Sequence, residues 1–83
     1  MVRITAAVQA PADLGLALQQ ARMEQGLSQM QLAEQLGISQ RSVSEIESGK
    51  PTIYIRKVFE MMRAAGMELT ASWDEEPPHA SGG

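Results

Sequence analysis

The chain has no cysteine among its 83 residues, which removes disulfides, thiolate metal sites and cysteine nucleophiles together. Histidine is nearly absent too. The single one, His79, stands alone near the C-terminus, and a metal role is not expected of it. No apolar run approaches the roughly 18 to 20 residues of a membrane span, and the opening "MVRITAAVQAPADL" lacks the long apolar stretch of a secretory signal. A cytoplasmic protein with no membrane partner is therefore expected. There is also no Gly-rich phosphate loop and no carboxylate cluster on a common inward face, so neither an enzyme nor a bound cofactor or metal is expected.

What is present bounds the rest. With 43% hydrophobic residues the chain can build one domain around one core, but not two. A core of this size supports only modest stability, so a second copy would help. The net charge of -3 is unevenly placed: residues 1–66 hold all seven Lys and Arg against six acids, while residues 67–83 carry four acids and no base. The acidity belongs to the tail, which permits a mildly basic face elsewhere.

Pro11 and Asp13, ahead of Leu14, Ala17, Leu18 and Ala21 at helical spacing, predict a first helix that Gly26 ends. Ser28 is the N-cap of a second, with Gln31 completing a capping-box pattern, Leu32, Ala33 and Leu36 inward, and Gly37 as the stop. Ser39 caps a third helix in which only Val43 and Ile46 are strongly apolar, a narrow inward stripe that leaves Gln40, Arg41, Ser44, Glu45 and Ser48 exposed. Thr52 caps a fourth, with Ile55, Val58, Phe59, Met62 and Ala65 as its apolar face. Met61 and Met62 are expected as adaptable core filler.

The period then changes. Met67, Leu69, Ala71 and Trp73 alternate with Glu68, Thr70, Ser72 and Asp74, the pattern of a strand with one buried face. A lone strand cannot satisfy its backbone, and two partners are open to it: the alternating Val2, Ile4, Ala6 and Val8, or the same strand of a second copy. Trp73 is expected as a packing anchor for the dimer or for a partner protein. The closing "DEEPPHASGG" has almost nothing to bury and reads as a disordered tail.

Two short helices joined through "LGIS", the second exposing donors and acceptors, fit a helix-turn-helix whose second helix enters the major groove of double-stranded DNA. The stretch "LSQMQLAEQLGISQRSVSEIESGK" resembles the phage-repressor, or XRE, type of helix-turn-helix, over about residues 13–66. That pattern runs Leu-[Ser/Thr]-Gln-x-x-Leu-Ala-x-x-x-Gly-[Val/Ile]-Ser and continues to Ile-Glu-x-Gly-Lys. The flanking "ADLGLALQQAR", "PTIYIRKVFEMMRAAGMELTASW" and the acidic tail resemble the HipB-like antitoxins, which repress their own operon and bind a HipA-like kinase toxin.

The resemblance implies an all-α, lambda-repressor-like domain of four to five helices with a C-terminal strand pairing across a dimer. Its divisions are an N-terminal arm or short strand at 1–10, the DNA-binding domain at 11–66 with the helix-turn-helix at about 28–48, a dimerisation strand at 67–74, and a disordered acidic tail at 75–83. It further implies that Gln29 touches a phosphate or supports a base-reading residue, and that Ser39, Gln40, Arg41 and Ser44 read bases. Gln can bond adenine and Arg guanine in bidentate fashion. Glu45 has two roles open to it, accepting from a cytosine amino group or orienting Arg41, and the second is expected. Lys50, Tyr54, Arg56 and Lys57 fall where the family contacts the DNA backbone; the plain alternative for these, as for Gln40 and Ser44, is a solvated surface.

Glu47 is implied to lean inward and pair with Arg22. Met67, Leu69, Ala71 and Trp73 are implied in dimerisation on an inverted-repeat operator. The function expected is a sequence-specific repressor in the bacterial cytoplasm, nucleoid-associated, acting as the autoregulating antitoxin of a HipBA-like operon. Two alternatives stand beside it: a stand-alone or phage-type regulator, and a module acting mainly by binding a partner protein.

Overall fold

The computed structural model describes residues 2–75; His79 and the acidic tail beyond Glu75 lie outside the described residues. Strand β1 (Arg3–Val8) leads into helix α1 (Pro11–Glu24), followed by α2 (Gln29–Leu36), α3 (Gln40–Glu47), α4 (Ile53–Ala64) and strand β2 (Leu69–Asp74). No helix among them is long and apolar enough to cross a membrane.

The helix starts follow local chemistry. Pro11 occupies the first turn of α1, where its missing N–H costs nothing, and Asp13 accepts from the Gln9 N–H at 2.9 Å. Ser28 and Gln31 form a reciprocal capping box: the Ser28 hydroxyl accepts from Gln31 N at 3.0 Å, and the Gln31 side chain accepts from Ser28 N at 2.8 Å. Ser39 and Thr52 cap α3 and α4 by accepting from Ser42 N and Ile55 N. Between α2 and α3 the chain turns through Gly37 at φ 69°, a left-handed conformation that a side chain would strain.

The strands depart from the expected all-α class. β1 and β2 pair antiparallel within one chain, in register from Arg3 opposite Asp74 to Val8 opposite Leu69. The fold is four helices plus a two-stranded sheet. β2 begins at Leu69 rather than Met67, and of the two partners open to it the chain supplies β1. Ile4, Ala6 and Val8 share the inner face with Leu69, Ala71 and Trp73, while Thr5, Ala7, Thr70 and Ser72 line the outer one. Val8, Phe59 and Met62 form the buried centre, with Leu14, Ile55, Val58 and Ala71 packed around them. Half-buried Trp73 lines a small cavity with Leu16, Ala17 and Gln20 of α1, so its anchoring begins inside the chain.

Several residues expected inside are exposed. Leu36 is 59% exposed, Ile46 51% and Met61 71%; Leu18 and Ala65 are exposed as well. The reason is common to them. Leu18, Leu36, Ile46 and Ala65 lie on the apolar faces that the spacing predicts, and Met61 beside one, but no described element extends over those parts. Leu18, Leu36, Ile38 and Ile46 instead rim a shallow apolar groove floored by Leu32 and Val43.

Candidate nucleic-acid interface

Helix α3 divides its circumference cleanly. Val43 and Glu47, four residues apart, point inward and are buried. Gln40, Ser44 and Ser48, also spaced by four, share an exposed face with Arg41, whose side chain is 84% exposed. Ile46 sits on the flank turned away from that face, so a ligand covering Gln40, Arg41 and Ser44 leaves it untouched.

The cap at the start of α3 has a second consequence. The Ser39 hydroxyl accepts from Ser42 N at 3.0 Å and lies 2.9 Å from the Ser42 hydroxyl. When Ser42 donates in that pair, the Ser39 proton is free to meet a phosphate. The amides at the starts of α2 and α3 add donors and a positive helix end, the arrangement that holds anions.

Glu45 is engaged by two cations at one oxygen. Arg41 Nε donates to its Oε2 at 3.3 Å and Lys50 Nζ at 3.1 Å. Lys50, ahead of Arg41, holds this carboxyl below the ordinary carboxylate value. A carboxylate facing a polyanion would be repelled, but here it is part of a trio of net charge +1. Because Arg41 uses its Nε on Glu45, its two terminal nitrogens stay available as a fork. An orienting role for Glu45 would act through its bond from Arg41.

The face is positioned from behind by a buried ion pair. Glu47 accepts from Arg22 Nε at 2.6 Å and from the second guanidinium arm at 3.0 Å, with the two side chains 4% and 10% exposed. Arg22 also donates to Leu27 O at 2.7 Å, and Gln29 Nε2 donates to Glu47 Oε1 at 2.9 Å. Glu47 is thereby pushed below its ordinary value, chiefly by the Arg22 hydrogen bond, which outweighs burial and is helped by Gln29; Arg22 is raised for the same reason. One network ties α1, the turn after it, α2 and α3. The structure thus places Gln29 on the Glu47 carboxylate, half-buried, rather than among the exposed residues of α3.

The remaining expected contacts are scattered more widely. Tyr54 is 78% exposed and shares a shallow apolar cavity with Ile46, Lys50 and Ile55. Arg56 is exposed with no ion pair among the described residues, while Lys57 lies 3.7 Å from Glu60 on the same helix. Met67, Leu69, Ala71 and Trp73 stand apart, on and before β2.

Gly15 is a residue that sequence reasoning passed over. A Cβ there would lie 2.5 Å from the Ile46 carbonyl oxygen and 2.6 Å from that of Glu47, so α1 crosses the end of α3 at a distance only glycine allows. Gly49, at φ 77°, meets Ala12 of α1 equally closely. The available signal was a glycine inside a helix, which costs about 1 kcal/mol relative to alanine and so calls for a packing reason.

No curated protein and no solved structure matches the chain. A family model described as helix-turn-helix matches residues 18–71, well over half of the chain, and spans both helices of the motif, the glycine turn and the buried ion pair. With that match laid over this geometry, the chain belongs to the XRE-type helix-turn-helix family of DNA-binding transcriptional regulators.

Proposed function

We propose that the protein is a sequence-specific repressor that binds an inverted-repeat operator as a homodimer, with α3 in the major groove. The observation that carries this reading is the exposed Gln40, Arg41 and Ser44 face, held from behind by Arg22, Glu47 and Gln29. In this reading Arg41 and Gln40 meet guanine and adenine edges, each good bidentate pair discriminating by about 1 to 3 kcal/mol. Ser39 and Ser44 bond bases or nearby phosphates, and Glu45 aims Arg41. Lys50, Tyr54 and Arg56 hold the backbone, and Gln29 acts by supporting the α3 face.

Two such modules are needed because one makes few contacts, and linking a pair raises affinity through effective concentration. β1 occupies one edge of β2, and no described residue pairs with the other edge. Antiparallel pairing of that edge with its two-fold mate, through the segment from Met67 to Trp73, would set half-sites about 34 Å apart. The protein would act in the bacterial cytoplasm, at the nucleoid.

A second reading makes the chain the antitoxin of an autoregulated operon, holding a HipA-like kinase toxin. It is favoured by the open apolar groove of Leu18, Leu36, Ile38 and Ile46. Both readings are tested by binding the purified chain to the DNA upstream of its own gene and to scrambled DNA, at two salt concentrations. Specific, salt-sensitive binding at two chains per site supports the repressor. Equal binding to both DNAs, or none, gives the lead to protein binding.

A further inference from the structure

The carboxylate of Glu45 stands between the two kinds of contact that DNA recognition needs. Four residues before it on α3 lies Arg41, read as a base contact, and just past the helix lies Lys50, read as a phosphate contact. Both cations meet the same atom. Arg41 Nε lies 3.3 Å and Lys50 Nζ 3.1 Å from Glu45 Oε2, and among the described residues nothing else donates to this carboxylate. The backbone beneath Lys50 is fixed, because its N–H donates to Glu45 O at 3.1 Å, an oxygen that also accepts from the Ser48 hydroxyl at 2.9 Å. Its ammonium is not fixed, for it ends a flexible four-carbon stem whose side chain is 61% exposed. Exposed pairs of this kind are worth little in water, so Lys50 can leave Glu45 for a phosphate at small cost, provided that the carboxylate keeps a partner. Held below the ordinary carboxylate value by Lys50 and then Arg41, Glu45 stays charged at neutral pH and cannot escape by protonation.

We propose that Glu45 makes the phosphate contact of Lys50 conditional on Arg41. The proposal rests on the repressor reading above and deepens it by joining base readout to backbone contact. With Arg41 in place, Lys50 moves to a phosphate and Arg41 alone answers the carboxylate through Nε, its two terminal nitrogens remaining on the base edge. Without Arg41, the same move would leave an unpaired negative charge facing the polyanion, so Lys50 stays on Glu45 and its phosphate contact is lost. The Arg41 side chain is 84% exposed and gains a fixed position only when a base edge receives its fork, so it satisfies Glu45 best at the correct sequence. A wrong base therefore forfeits the Lys50 contact along with its own. Glu45 is in this way a positioning residue that sharpens discrimination without touching DNA, and a neutral side chain in its place would leave the two contacts independent.

The test measures binding of the full chain to its upstream DNA over a series of salt concentrations, for the parent, Lys50→Ala, Arg41→Ala and the double variant, and again for the same four with Glu45→Gln. While Glu45 is intact, Lys50→Ala should make the log-log slope shallower by about one unit when Arg41 is present, and should leave it unchanged when Arg41→Ala is already there. With Glu45→Gln the difference should be about one unit in both cases. Arg41→Lys returns a cation to Glu45 and should restore the effect of Lys50→Ala. A slope change from Lys50→Ala that is the same with and without Arg41, no change in either, or a dependence on Arg41 that survives Glu45→Gln overturns the proposal and leaves specific binding by the parent standing. A parent that binds upstream and scrambled DNA alike overturns the repressor reading, and this proposal with it. Variants that bind too weakly in the chosen salt range are compared with the parent at lower salt. Unchanged circular dichroism spectra are expected throughout, since none of the three side chains is buried.

Discussion

Helices α1 to α3 are tied together by hydrogen bonds as much as by apolar contact. Arg22, Gln29 and Glu47 connect all three, Ser28 and Ser39 cap two of them, and the buried apolar residues there are only Ala17, Ala33 and Val43. Helix α4 and the sheet are built the other way, around Val8, Phe59 and Met62, with a single side-chain cap at Thr52. The first arrangement has directional partners and so fixes where α3 points. The second is non-directional, and large apolar side chains stay exposed in both regions.

The largest expected effect tests the directional half. Glu47→Ala strands the Arg22 charge among buried groups and should cost about 3 to 5 kcal/mol, a large share of the stability of so small a domain. Equal thermal midpoints for mutant and parent would refute this. The same pair gives the stability a pH dependence. Because the Glu47 carboxyl lies below its ordinary value of 4.5 in the folded chain, its contribution is full above that pH and fades as pH falls through the lower folded value. Glu47→Gln should therefore show a flatter acid limb than the parent below about pH 4.5 in denaturant titrations.

Next in size is Gly15→Ala. Its new methyl meets backbone carbonyl oxygens that have no side chain to swing aside, so overpacking of about 1 to 3 kcal/mol should exceed the helix propensity gained. A variant as stable as the parent would mean that α1 and α3 are free to separate. Ser28→Ala and Thr52→Ala sharpen the comparison from a third side. Each removes one side-chain cap, and each should cost about 1 kcal/mol, since a cap is local and indifferent to how the rest of its region is held. A cost at Ser28 several times that at Thr52 would show that the capping box is coupled to the ion-pair network.

The smallest effect expected leaves stability alone. Lys50→Ala should make the salt dependence of DNA binding shallower by about one unit of log-log slope, because one phosphate contact is lost. An unchanged slope would assign Lys50 to holding Glu45.

Much of this was legible in the sequence, and the rest has physical reasons for being hidden. The Ser28, Ser39 and Thr52 caps and the glycine turn depend on near neighbours, so short motifs reveal them. The Arg22 and Glu47 pair, 25 residues apart, was reached through family resemblance rather than periodicity. Spacing told which residues share a face, but not whether the chain has an element to lay over it. That is why Leu18, Leu36, Ile46 and Ala65 were expected inside and are exposed. Alternation likewise announced a strand at the C-terminus without naming its partner, and the all-α expectation failed when β1 supplied one. Gln29 was expected to touch a phosphate or to support a base-reading residue, and its bond to Glu47 depends on a depth of burial that no local pattern records.

The central claim is that α3 reads bases through a side chain held in place. It is tested most directly by comparing the affinity of the parent and Arg41→Ala for upstream DNA and for scrambled DNA at one salt concentration. The account predicts a loss of about 1 to 3 kcal/mol in the preference for the upstream site, with much less change on scrambled DNA. An equal loss on both DNAs would make Arg41 a phosphate contact and contradict the account.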